Sequence, residues 1–101
     1  MIKIFLDDER FPVDESWIVF RSTDEAIRYI QNGNFPTDLS LDHDLGDGVK
    51  TGFDFVKEFV ELMIDNNLNP LTINFYVHSQ NPIGKENMIQ YWNNFVRYYT
   101  R

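Results

Sequence analysis

Asp7-Asp8-Glu9-Arg10, Asp42-His43-Asp44 and His78-Ser79-Gln80-Asn81 hold the side chains best suited to chemistry in this chain. Together they carry clustered carboxylates, both histidines of the sequence, a hydroxyl, an amide and a guanidinium. Carboxylate oxygens suit a hard divalent cation such as Mg²⁺ or Mn²⁺. Imidazole is the usual proton carrier near neutral pH. The set as a whole fits the handling of a phosphate beside a metal.

Neighbouring residues of a strand point to opposite faces, so Asp7 and Asp8 can act together only where the chain turns out of a sheet. Asp42 and Asp44 are two apart and share a side if their segment is extended. The expected ligand set is therefore Asp7, Asp8 and one of Asp42 or Asp44; the plain alternative is that some of these only cap or line a loop. His43 and His78 are expected as a base and acid pair, with metal ligation or an imidazole held by a carboxylate as the alternatives. Ser79 and Asn81 precede a helix N-terminus, where backbone N–H groups favour anions, and Asn81 also caps that helix. Lys85, in its first turn, reaches a phosphate or is simply exposed. Arg10 either clamps a phosphate bidentately or pairs with the aspartates before it. Trp17, Trp92, Tyr98 and Tyr99 offer stacking surfaces, although aromatics at such spacings more often belong to a core.

Each polar string follows an apolar run that reads as a strand: Met1–Leu6, Asp38–Leu41 and Thr72–Val77. A further strand spans Trp17–Arg21. The stretch Glu9–Ser16 has no helical period and reads as a loop. Ser22 and Glu25 form a capping-box pattern opening a helix that ends near Gly33. Thr51 caps a helix from about Gly52 to Asn66, with Phe53, Val56, Phe59, Val60 and Met63 at helical spacing. Asn81-Pro82 opens a last helix to Tyr99. This alternation predicts one α/β domain over residues 1–101: a flavodoxin-like three-layer sandwich with a four-stranded parallel sheet of order 2-1-3-4 and helices on both faces. Ligands of such sheets bind beyond the carboxyl ends of the strands, where the three strings converge.

The bulk numbers agree with this. The chain has 101 residues, 43% hydrophobic and 16% aromatic, enough for one core. It has no cysteine, which excludes disulfides and thiolate metal sites. The formal charge of −7 opposes binding to extended duplex nucleic acid. Much of it falls at Asp7, Asp8, Glu9, Asp42, Asp44 and Asp47, so a phosphorylated ligand is expected to arrive with a cation. No apolar run suits a membrane span, and nothing after Met1 reads as a signal peptide, so a cytoplasmic protein is expected.

The strings Ile4-Phe5-Leu6-Asp7-Asp8-Glu9-Arg10-Phe11-Pro12, Ser40-Leu41-Asp42-His43-Asp44-Leu45-Gly46 and His78-Ser79-Gln80-Asn81-Pro82-Ile83-Gly84 resemble the cyclic-phosphate-processing receiver family, a branch of the response-regulator receiver fold found in phages and bacteria. The resemblance covers nearly the whole chain, and Asn87-Met88 fits it too. It implies processing of 2′,3′-cyclic phosphate ends of RNA, or of a related small cyclic nucleotide, at Asp7, Asp8, Asp42, His43, Asp44, His78, Ser79 and Asn81. For a phage-encoded member it implies the host cytoplasm. An ordinary receiver has a helix between its first two strands and a fifth strand ending in lysine. Here a loop replaces the helix and the strand is missing, so the acidic platform is kept while the phosphate-switch parts are lost. The competing expectation is a degenerate receiver-like module, or an acidic inhibitor, that docks a protein partner without catalysis.

Overall fold

The computed structural model describes residues 1–101. Its strands are β1 (Lys3–Leu6), β2 (Ile18–Phe20), β3 (Asp38–Leu41) and β4 (Asn74–Val77); its helices are α1 (Thr23–Gln31), α2 (Gly52–Asp65) and α3 (Pro82–Tyr99). All strand pairs are parallel and the order is β2-β1-β3-β4, as expected. The register pairs Ile4 with Leu39 and Leu39 with Phe75, and Leu6 with Leu41 and Leu41 with Val77. No helix is long and apolar enough to cross a membrane.

The helices do not cover both faces. Ile4, Leu6, Leu39 and Leu41 form one core cluster with Ile27 and Ile30 of α1, Phe55 and Phe59 of α2, and Met88 and Trp92 of α3. All three helices therefore share one face. Handedness accounts for α1 and α2: the steps from β2 to β3 and from β3 to β4 run in the same direction along the sheet, and right-handed crossovers then fall on the same side. The last helix, α3, which crosses to no further strand, is held there by Trp92 stacking on Phe59 of α2 and Phe75 of β4. Only the step from β1 to β2 runs the other way, and there the chain makes a loop, Asp7–Trp17, instead of a helix. That loop is the outer layer. It lays Trp17 edge-on against Phe5, with ring centroids 6.3 Å apart, and Lys3 lies 4.7 Å over the indole. Tyr76 on the same face is left 55% exposed.

Local boundaries follow capping chemistry. The fourth strand starts later than the pattern suggested because Pro70–Thr72 is a 3₁₀ turn, opened by Asn69 accepting from the Leu71 N–H. The Ser22–Glu25 pair makes half a capping box: the Ser22 hydroxyl accepts from the Glu25 N–H, but the Glu25 carboxylate takes the Ser22 hydroxyl proton rather than its backbone N–H. The complete box belongs to Thr51 and Asp54. It opens α2 at a point of very close approach. Gly52 donates its N–H to the His43 carbonyl at 2.8 Å, and a Cβ at Gly52 would overlap the Asp42 carbonyl. Backbone cannot step aside as a flexible side chain can. Gly52→Ala is therefore expected to cost about 3 kcal/mol, the upper end for overpacking, and to displace the Asp42–Asp44 segment. Chemical denaturation checks the stability, and a midpoint equal to that of the unsubstituted protein would contradict the close approach.

Candidate active site

The carboxyl ends of β1, β3 and β4 open onto a crevice of about 710 Å³. Its walls are Asp7 to Arg10 after β1, Asp42, Asp44, Gly46 and Asp47 after β3, and Gln80 to Pro82 at the start of α3. Six carboxylates and one guanidinium line it, and Pro82 brings the one apolar side chain.

Asp7 is the anchor. It is 1% exposed, yet its carboxylate is fully engaged. Oδ1 accepts from the backbone N–H groups of Glu9 (2.9 Å) and Arg10 (2.8 Å). Oδ2 accepts from Arg10 Nε (2.9 Å) and His78 Nε2 (3.0 Å). Burial by itself pushes the Asp7 pKa up; the Arg10 and Glu9 amides, the His78 hydrogen bond and the Arg10 charge outweigh it and hold the pKa at about 2. Arg21 braces the same turn from outside, donating to the carbonyls of Asp7 (2.9 Å) and Arg10 (2.7 Å).

Three carboxylates are close enough together to hold a divalent cation between them. Asp7, Asp8 and Asp42 each bring a carboxylate oxygen within 4.8 Å of the others, and Asp44 is not in this group. Asp42 spends one oxygen on the His43 N–H, and Asp8 has no hydrogen-bond or ion-pair partner in the protein. Asp44 instead accepts from His43 Nδ1 at 3.0 Å and from Asn81 Nδ2 at 3.2 Å, and these bonds hold its pKa below the usual carboxylate range, that from His43 most. The choice between Asp42 and Asp44 thus falls on Asp42 for a cation and leaves Asp44 as a bridge to the other wall.

The two histidines are not equivalent. His78 lies flat on Phe5, centroids 4.5 Å apart, and both its nitrogens are taken. Asp7, ionised, can only accept, so Nε2 carries a proton; Nδ1 shares a hydrogen bond with the Ser40 hydroxyl at 2.8 Å. His78 positions Asp7. His43 is packed against Gly84, where a Cβ would overlap its ring, and only Nδ1 is engaged. Its Nε2 has no protein partner and is not sealed from solvent.

Ser79 and Asn81 serve the α3 terminus. Ser79 accepts from the Asn81 N–H, and Asn81 caps α3 through Gly84. With Pro82 lacking an N–H and the Gly84 N–H spent on the cap, little of that terminus is left for an anion. Lys85 does not line the crevice; it lies in a groove along α3 with Glu86 and Ile89. Trp92 is core and Trp17 shields Phe5, while Tyr98 and Tyr99 are exposed at the far end of α3. Sequence reasoning missed Ser40 and Arg21. The alternation Asp38-Leu39-Ser40-Leu41 does place Ser40 on the second sheet face, but its partner His78 is set by strand register alone.

A family model described as a cyclic-phosphate processing receiver domain matches residues 2–94. No curated protein and no solved structure matches the chain.

Proposed function

The chain belongs to the cyclic-phosphate processing receiver family, and from that premise we propose that it is a metal-assisted phosphoesterase opening 2′,3′-cyclic phosphates at RNA ends or on small nucleotides. The carrying observation is the crevice lining, six carboxylates to one guanidinium with Pro82 the one apolar side chain. An anionic ester is repelled from such a site unless a cation accompanies it. A divalent cation held by Asp7, Asp8 and Asp42 would supply that charge and polarise the phosphate.

The chain's own groups cover the rest. His43, with Nδ1–H directed to Asp44, offers Nε2 as the base that takes a proton from the attacking water. Water adds to phosphorus, the bond from phosphorus to one ribose oxygen breaks, and that oxygen takes up the proton that His43 removed from the water. Arg10 is the one cationic side chain available to the phosphate. With no aromatic side chain in the crevice for a base to stack on, recognition falls on phosphate and sugar rather than on the base.

The test is incubation of four oligoribonucleotides, each ending in a different nucleoside 2′,3′-cyclic phosphate, with Mg²⁺ or Mn²⁺ and with chelator. Mass analysis should show gain of one water, dependent on metal, at rates within about tenfold of one another across the four bases, about 1.4 kcal/mol. No turnover with either metal on any end would reject the reading. Product digestion gives the regiochemistry.

A further inference from the structure

We infer that Arg10 is the resident counter-cation of the crevice and that a divalent cation enters by displacing its guanidinium. This rests on the metal-assisted reading above and concerns how that site is loaded. A carboxylate offers about four lone-pair sites, and in Asp7 all are filled. A cation can reach Asp7 only if one donor leaves. Two of the donors are backbone N–H groups of the turn, and the third, His78, is held by Ser40 and by stacking on Phe5. The fourth is the Arg10 side chain, which is 43% exposed on a flexible stem. It is also the group that spans the ligand set: Nε is 2.9 Å from Asp7 Oδ2, and Nη2 is 3.6 Å from Asp42 Oδ1. Arg10 therefore sits among the oxygens a metal would use, and Asp8 stands by unpaired.

The backbone N–H of Arg10 remains bonded to Asp7 when its side chain swings away, so the freed guanidinium stays at the crevice rim. There it can meet the two oxygens of a phosphate in a bidentate pair. Loading the metal thus releases the anion clamp, and the site presents its positive charge only once a cation is in place.

Two measurements on the full chain decide this. Free Mn²⁺ followed by electron paramagnetic resonance gives the affinities of the unsubstituted protein and of Arg10→Gln. Breaking a charge-assisted hydrogen bond is part of binding only when Arg10 is present, so the variant should bind Mn²⁺ roughly tenfold to a hundredfold more tightly. In ¹⁵N-labelled unsubstituted protein, the Arg10 Nε–H signal should be protected from exchange without Mg²⁺ and lose that protection as Mg²⁺ saturates. This second arm needs no variant. Saturation with the Arg10 signal unmoved, or a variant affinity equal to or below that of the unsubstituted protein, overturns the exchange while leaving the cation site standing. Absence of Mn²⁺ binding in both proteins removes the cation site and the exchange with it.

Discussion

Asp7→Asn should lower stability by about 3 kcal/mol, even though it removes a charge from a chain of net charge −7. An amide accepts at one atom only. Turned to keep the two turn N–H groups of Glu9 and Arg10, it aims its own NH₂ at Arg10 Nε and at the proton of His78 Nε2, donor against donor. Leaving buried donors unsatisfied costs about 1–3 kcal/mol each, and the Arg10 side chain, 43% exposed against 22% for His78, is the better placed of the two to turn to water. For a domain of this size the melting temperature should drop on the order of 15 °C. The effect has a pH signature. Asp7 in the folded protein has its pKa held at about 2, below the 3.8 of an unperturbed aspartate. Its contribution is complete above the unfolded value and is lost as pH falls from about 4 to about 2; a shift of this size corresponds to roughly 2.5 kcal/mol. The gap in stability between the two proteins should therefore narrow across that window. Denaturation curves showing the same gap at pH 6 and pH 2 would mean that Asp7 is not the acid-labile anchor.

Much of this was legible in residue order, because each polar string directly follows an apolar run and parallel strands bring those ends together. The convergence of Asp7, Asp8 and Asp42 needed only that. The helical layers were misjudged for a reason partly present in the sequence. Once the order 2-1-3-4 is combined with a loop at Glu9–Ser16, right-handed crossovers put α1 and α2 on one face; only packing, Trp92 on Phe59 and Phe75, decides that α3 joins them. The side-chain partners were less accessible. Ser40 and His78 are separated by 38 positions, and only register and the Phe5 stack bring them together. Arg10 was evenly balanced between pairing and clamping; the saturated Asp7 carboxylate assigns it to pairing in this state. Lys85 could not be placed from first-turn membership alone, since the helix carries it onto the same face as Ile89, away from the carboxylates.

The histidines separate most sharply by rate. On a cyclic-phosphate end that the unsubstituted protein opens, His43→Gln should lower the rate at saturating metal by about a hundredfold to ten-thousandfold. Glutamine keeps much of the volume against Gly84 and can still donate to Asp44, so folding and Mn²⁺ affinity should be nearly unchanged. What it lacks is a ring nitrogen with a free lone pair to accept a proton from water. His78→Asn should behave oppositely. With both imidazole nitrogens already committed to Ser40 and Asp7, its loss loosens the anchor; stability and metal affinity fall, while turnover at saturating Mg²⁺ stays within about tenfold of the unsubstituted rate, about 1.4 kcal/mol. Full turnover by His43→Gln would place the base elsewhere, and a collapse of rate in His78→Asn with metal saturated would return the proton to His78.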